Sequence, residues 1–166
     1  MRVHRLMTLA AGLFVMCLPI FAAAQGAQVA FGSSQQDRDL PVEVTADNLN
    51  VNQNDGTAVF TGNVVIGQGE MRLSAPRVLV VYLKDQSGIE SLEATGGVTL
   101  VSGPDAAEGE RADYNITTGI IEMSGNVLLV QGDNAITGET MYVDTTAGTA
   151  RVSGRVKTVL QPRAKQ

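Results

Sequence analysis

The sequence predicts an all-β fold of stacked antiparallel strands, and three observations carry that expectation. A short unit recurs four times, apolar residues alternate within it at the period of a strand, and no stretch sustains a helical period.

The repeat is set by Thr61-Gly62-Asn63-Val64, Thr95-Gly96-Gly97-Val98, Ser124-Gly125-Asn126-Val127 and Ser153-Gly154-Arg155-Val156, whose valines are 34, 29 and 29 residues apart. A second landmark precedes each: Ala46-Asp47, Ala75-Pro76, Gly109-Glu110 and Gly138-Glu139, spaced by 29, 34 and 29. The unit is thus about 29 residues, lengthened once where Lys84 to Gly88 extend a turn.

Ala58, Phe60, Val64 and Ile66 share one strand parity, as do Ile121, Met123, Val127 and Leu129, and Ala150, Val152 and Val156. Val59, Glu122 and Arg151 take the opposite parity, and charge belongs outside. The other half of each unit changes parity at its landmark, as from Val44 and Ala46 to Leu49 and Val51, or from Leu73 and Ala75 to Val78 and Val80. One extra residue at Asp47, Pro76, Glu110 and Glu139 therefore marks a bulge that bends the strand between two sheets. Gly62, Gly96, Gly125 and Gly154 are expected as second corners, because a strand glycine permits a sharp bend. Asp55-Gly56, Ser87-Gly88, Thr118-Gly119 and Ala147-Gly148 read as hairpin turns. The architecture expected is a twisted antiparallel sandwich or roll whose rungs stack along one axis and share a core.

At the N-terminus, Arg2, His4 and Arg5 precede an apolar run from Leu6 to Phe21 that ends in Ala22-Ala23-Ala24. This is the order of a cleavable export signal over residues 1–24. Residues 25–40, rich in Gln, Gly, Ser and Asp, read as a flexible leader; the domain is expected over 41–162, with 163–166 a short basic tail. Removing 24 of 166 residues leaves 142, enough for one domain with a usable core.

Composition excludes whole classes of chemistry. The one His (His4) and the one Cys (Cys17) both lie in the export signal, so the remainder has no Ser-His or Cys-His pair, no zinc site of the usual kind and no disulfide. Arg2 and Arg5 also leave, and the remaining 10 basic residues stand against 17 acidic ones, a net charge of −7 that argues against nucleic acid. Asp105, Glu108 and Glu110 are expected in a solvated loop before the third unit, and neither they nor Asp37 and Asp39 have calcium-loop spacing. No enzyme, catalytic residue, metal or cofactor is expected.

The Ala-Asp landmark, the Thr-Gly-Asn-Val that follows a hairpin, its recurrence about two units on, and the terminal Val156-Lys157-Thr158-Val159-Leu160 together resemble the OstA-like family of lipopolysaccharide-transport proteins over about residues 41–162. The resemblance implies a slightly open β-jellyroll in the periplasm whose apolar interior shields the acyl chains of lipopolysaccharide (lipid A). It implies an inner-membrane-anchored partner and an outer-membrane translocon as neighbours, with this chain the soluble bridge between them.

Val42, Val44, Leu49, Val51, Phe60, Val64, Leu92, Val98, Tyr114, Met123 and Val127 are the expected lining of that lipid groove. Periodicity alone favours a plain core for these residues, and only the family resemblance reverses that reading. A roll that does not close also leaves an unpaired strand at each end, residues 41–53 and 149–160, where Val42, Val44, Val152, Val156, Thr158 and Leu160 would meet partners. The two ends differ, so a head-to-tail homo-oligomer is expected. Arg155 and Lys157 are the charges that would oppose pairing there. The competing function is a β-sandwich adaptor that joins envelope proteins through its edges and carries no lipid.

Overall fold

A computed structural model of the chain describes residues 27–32 and 40–161. The expected export signal over 1–24, Asp37, Asp39 and the expected tail over 163–166 lie outside the described residues. The strands are β1 (Ala27–Ala30), β2 (Glu43–Thr45), β3 (Asn48–Asn52), β4 (Thr57–Gln68), β5 (Met71–Tyr82), β6 (Ile89–Ser102), β7 (Asp105–Asn115), β8 (Ile120–Gln131), β9 (Asn134–Asp144), β10 (Thr149–Ser153) and β11 (Lys157–Val159). All pairings are antiparallel, and all join neighbours in sequence except β1 with β10, β11 with β9 and β2 with β4. The sheet is open: its first and last strands do not pair with each other.

Strands β4 to β9 run 11 to 14 residues, too long for one flat layer, and each bends at its midpoint. The bends coincide with register shifts between Thr61 and Val64, Ser74 and Arg77, Thr95 and Val98, Glu108 and Arg111, and Ser124 and Val127. One half of every long strand thus joins a first layer with β3, β10 and β1, and the other half a second layer with β2 and β11. A bulge adds a residue on one strand only, which rotates the following side chains and keeps the apolar parity inward through the bend.

The expectation of second corners at the glycines is corrected here: each glycine meets the preceding landmark across one shared corner. The Asp47 N–H donates to Gly62 O at 2.9 Å and the Glu139 N–H to Gly154 O at 3.0 Å. A Cβ on Gly62, whose φ is +80°, would fall 2.5 Å from the Asp47 carboxylate. The residue after the glycine also has positive φ at Asn63, Asn126 and Arg155. Their side chains reach back to the landmark acids: Asn63 Nδ2 to Asp47 Oδ2 at 2.8 Å, Asn126 Nδ2 to Glu110 Oε1 at 2.9 Å, and Arg155 Nε to Glu139 Oε1 at 2.7 Å. Asn tolerates the left-handed region better than other side chains, which explains its place in two of these corners.

Two more expectations change. The leader over 25–40 contains a strand: β1 pairs with β10 from Ala27 opposite Val152 to Ala30 opposite Thr149, and Phe31 after it is 1% exposed. Alternating Ala27, Val29 and Phe31 supply the inward face, too short a run to stand out from its polar flanks. Asp105, Glu108 and Glu110 lie on strand β7 and not in a loop.

Candidate functional site: an apolar interior with a polar margin

Between the layers lies one continuous apolar face. Val64, Leu92, Val98, Tyr114, Met123 and Val127 are buried there, joined by Ile66, Leu73, Val78, Leu100, Ile121, Leu129 and Met141. Val42, Val44 and Phe60 pack against it half-buried. Each such aliphatic side chain stabilises the fold by about 1.5–3 kcal/mol when fully buried. The interior is filled by the chain's own side chains, so in this state it is a packed core and not a water-accessible channel.

Leu49 and Val51 differ from the other nine. They pair with Phe60 and Ala58 and so face the same way, but among the described residues β3 is the last strand of its layer and no side chain covers them. They remain 56% and 54% exposed. The apolar face therefore runs out to solvent at the β3 end, beside half-buried Tyr82.

At the opposite end the expected edge contacts divide. Val152 is not an edge residue: it is paired to Met141 on one side and Ala27 on the other and is fully buried. The reason is that β1 takes the free side of β10. Val156 leaves the inward parity at the last corner and is exposed, and Thr158 and Leu160 are exposed on and just beyond β11. Val42 and Val44, before and within β2, stay half-buried at the other end. Arg155 is engaged with Glu139, whereas Lys157 is exposed on the edge strand.

The feature that sequence reasoning missed is the margin of the inner face. At the second-layer rim the inward row reads Gln68, Met71, Ser102, Asp105, Gln131 and Asn134, paired strand to strand across the sheet. All but Met71 are polar, and Gln68, Ser102 and Asp105 are buried. Buried polar groups need partners, and here the partners tie the rim across the seam. Tyr114 Oη donates to Gln68 Oε1 at 2.8 Å, and the Gly32 N–H donates to Asp105 Oδ2 at 2.7 Å. Gln131 Nε2 donates to Ala30 O at 2.6 Å, and Gln68 Nε2 to Leu40 O at 3.1 Å. Polar residues at inward parity, each at the turn end of its strand, were the available signal.

The outer face carries an ion-pair cluster. Arg111 bridges Glu93 at 2.9 Å and Asp113 at 2.6 Å, and its hydrogen bonds to Asp113 first and Glu93 second raise its pKa further. All three are partly exposed, so the cluster adds little stability. Glu122 and Arg151 point outward as expected. Among the described residues no group of three or more acidic, His or Cys side chains is placed to hold a metal ion.

A family model described as LptA/(LptD N-terminal domain) LPS transport protein matches residues 43–149, more than half of the chain. Among curated proteins, an uncharacterised protein of Rhizobium meliloti is 29% identical over 120 residues, covering 68% of this chain and 64% of that protein. The lipopolysaccharide export system protein LptA of Escherichia coli is 26% identical over 90 residues, 54% of this chain and 43% of that protein. The chain thus spans less than two thirds of the length of these relatives. The crystal structure of LptH from Pseudomonas aeruginosa, described as the LptA-homologous periplasmic component of the lipopolysaccharide transport device, superposes with a TM-score of 0.69 at 24% identity. It covers 76% of this chain and 99% of that one, a likeness of fold.

Proposed function

The chain belongs to the LptA/LptD N-terminal domain family of LPS transport proteins, and from that premise we propose that it is a periplasmic lipopolysaccharide-binding bridge. Its interior receives the acyl chains of lipid A during passage from the inner to the outer membrane. The observation that carries this reading is the uninterrupted aliphatic face between the layers, running from Val152 to exposed Leu49 and Val51. Transfer of a methylene out of water gains about 0.8 kcal/mol, so acyl chains are held there by burial without polar recognition. The polar rim suits the other half of the ligand, because a sugar headgroup outside the seam can exchange hydrogen bonds with Gln, Ser, Asp and Asn side chains.

The ends support assembly. At one end β2 and β3 offer unpaired backbone and the exposed Leu49 and Val51; at the other, β11 offers Thr158, Val159 and Leu160. The surfaces are unlike, so copies join head to tail, and the same ends serve an inner-membrane-anchored partner and an outer-membrane translocon.

One observation favours the second reading, an adaptor that joins envelope proteins by its edges without lipid: the interior is already filled. Site-specific photo-crosslinking in cells separates the two. A crosslinker at Phe60 or Tyr114 is expected to capture lipopolysaccharide while one at Glu122 or Arg151 does not. Capture at none of the four, together with crosslinks to protein at Leu49, leaves the adaptor.

A further inference from the structure

The segment Ala30-Phe31-Gly32 crosses the seam between the layers. Its start belongs to the first layer, where β1 lies along β10 and the Phe31 N–H donates to Gly148 O at 2.9 Å. Its end is held by the second-layer rim, with Gly32 on Asp105 and the Ala30 carbonyl on Gln131. Between these anchors the Phe31 ring turns inward and is 1% exposed, part of the same core cluster as the expected lipid-lining residues.

This arrangement reproduces in one tripeptide what an amphiphile needs from the site: an apolar group between the layers and polar groups on the rim. The hold is also local. Gln28 and Ala30 are exposed and Ala27 and Val29 only half-buried, so Phe31 is the one fully buried side chain of residues 27–32. A four-residue edge strand anchored by one ring belongs to the low-stability end of a fold, able to open without global unfolding.

We infer that Phe31 and its flanking backbone are an intramolecular stand-in for the lipid, a removable latch that fills the β10 end of the interior when no acyl chain is present. The inference rests on the lipid-binding reading above. Filling the site and seating the latch are mutually exclusive, so the ligand's apparent affinity is lowered by the fraction of molecules in which the latch is closed. A latched interior also keeps the apolar face from water while empty.

Two variants test this in the exported chain, from which the expected signal over 1–24 has been removed together with Cys17. Phe31→Ala vacates the slot; Gln28→Cys with Arg151→Cys, a directly paired couple on the outer face, locks β1 onto β10 when oxidised. The probe is the apolar dye N-phenyl-1-naphthylamine, titrated by fluorescence, followed by purified lipopolysaccharide. Phe31→Ala is expected to bind the dye about tenfold or more tightly than the parent. The oxidised pair is expected to lose binding of dye and lipopolysaccharide, and reduction to restore both. Dye binding that is the same, or absent, in all forms overturns the latch. If melting curves show that Phe31→Ala does not fold, the oxidised and reduced pair decides alone. Equal lipopolysaccharide binding by the locked and reduced pair overturns the latch and leaves the lipid reading standing. The expected dye pattern without lipopolysaccharide binding by any form upholds the latch and refutes lipopolysaccharide as the ligand.

Discussion

Replacing Gly125 by Ala tests the shared corner, and its cost can be worked from the backbone. Gly125 has φ +82°, and a Cβ there would lie 2.6 Å from Glu110 Cβ and 2.8 Å from its Cγ. The Glu110 Cβ cannot swing away, because the main chain of the opposing bulge sets its position. Two costs therefore add: about 1–2 kcal/mol for an L-residue in the left-handed region, and about 1–3 kcal/mol for overpacking that only backbone movement relieves. Gly132 is the matched control. Its φ is +57° and nothing lies within 4 Å of a Cβ there, so Gly132→Ala carries the first cost alone. At a urea m-value of about 2 kcal/mol/M, Gly125→Ala should lower the unfolding midpoint by roughly 1–2.5 M and Gly132→Ala by roughly 0.5–1 M. Equal losses in the two variants would refute the argument that the glycine is required by the landmark opposite it and not merely by its own φ.

Leu49→Ala should leave monomer stability within about 0.5 kcal/mol, since the side chain is more than half exposed. Leu129→Ala, in the buried row, should cost about 2–5 kcal/mol. In sedimentation the ranking should invert, with Leu49→Ala weakening self-association and Leu129→Ala leaving the β3 end intact. Tyr142 donates to Glu122 at 3.1 Å, and this bond to a carboxylate, then the repulsion between two negative charges, raises the phenol pKa. An ultraviolet titration of the parent against Glu122→Gln should therefore show the Tyr142 phenol ionising above the usual range in the parent and lower in the variant. The sign places no stability change from this group near neutral pH: its contribution is complete below the ordinary tyrosine pKa and fades only as pH rises through the raised one.

Much of the fold is legible because its signals are local. Alternation along a strand assigns Ile121, Met123, Val127 and Leu129 to one face whatever they pack against, and all four are buried. The parity slip at Pro76 or Glu110 reports a bend because a bulge is a one-residue event. What alternation does not carry is distance across the structure. Gly62 and Asp47 are 15 residues apart and read as separate corners, yet they form one, because the hairpin brings them level. Val152 has the composition of an edge residue until a strand from more than a hundred positions earlier pairs beside it.

The candidate site divides in the same way. Nine of the eleven residues expected to line it meet in the interior, since inward parity is all that membership required. Leu49 and Val51 share that parity and differ in having, among the described residues, no further strand beyond them, a fact of sheet order. The polar rim was present as inward Gln68, Ser102 and Asp105, but a polar residue near a turn is unremarkable until the facing layer is known. By itself, then, the sequence determined which side of each strand is apolar and where each strand turns, because those depend on neighbours one to four residues away. Only the tertiary structure decided which ends are covered, what closes the seam and that Phe31 sits inside it, because those depend on contacts between segments whose separation along the chain holds no periodic trace.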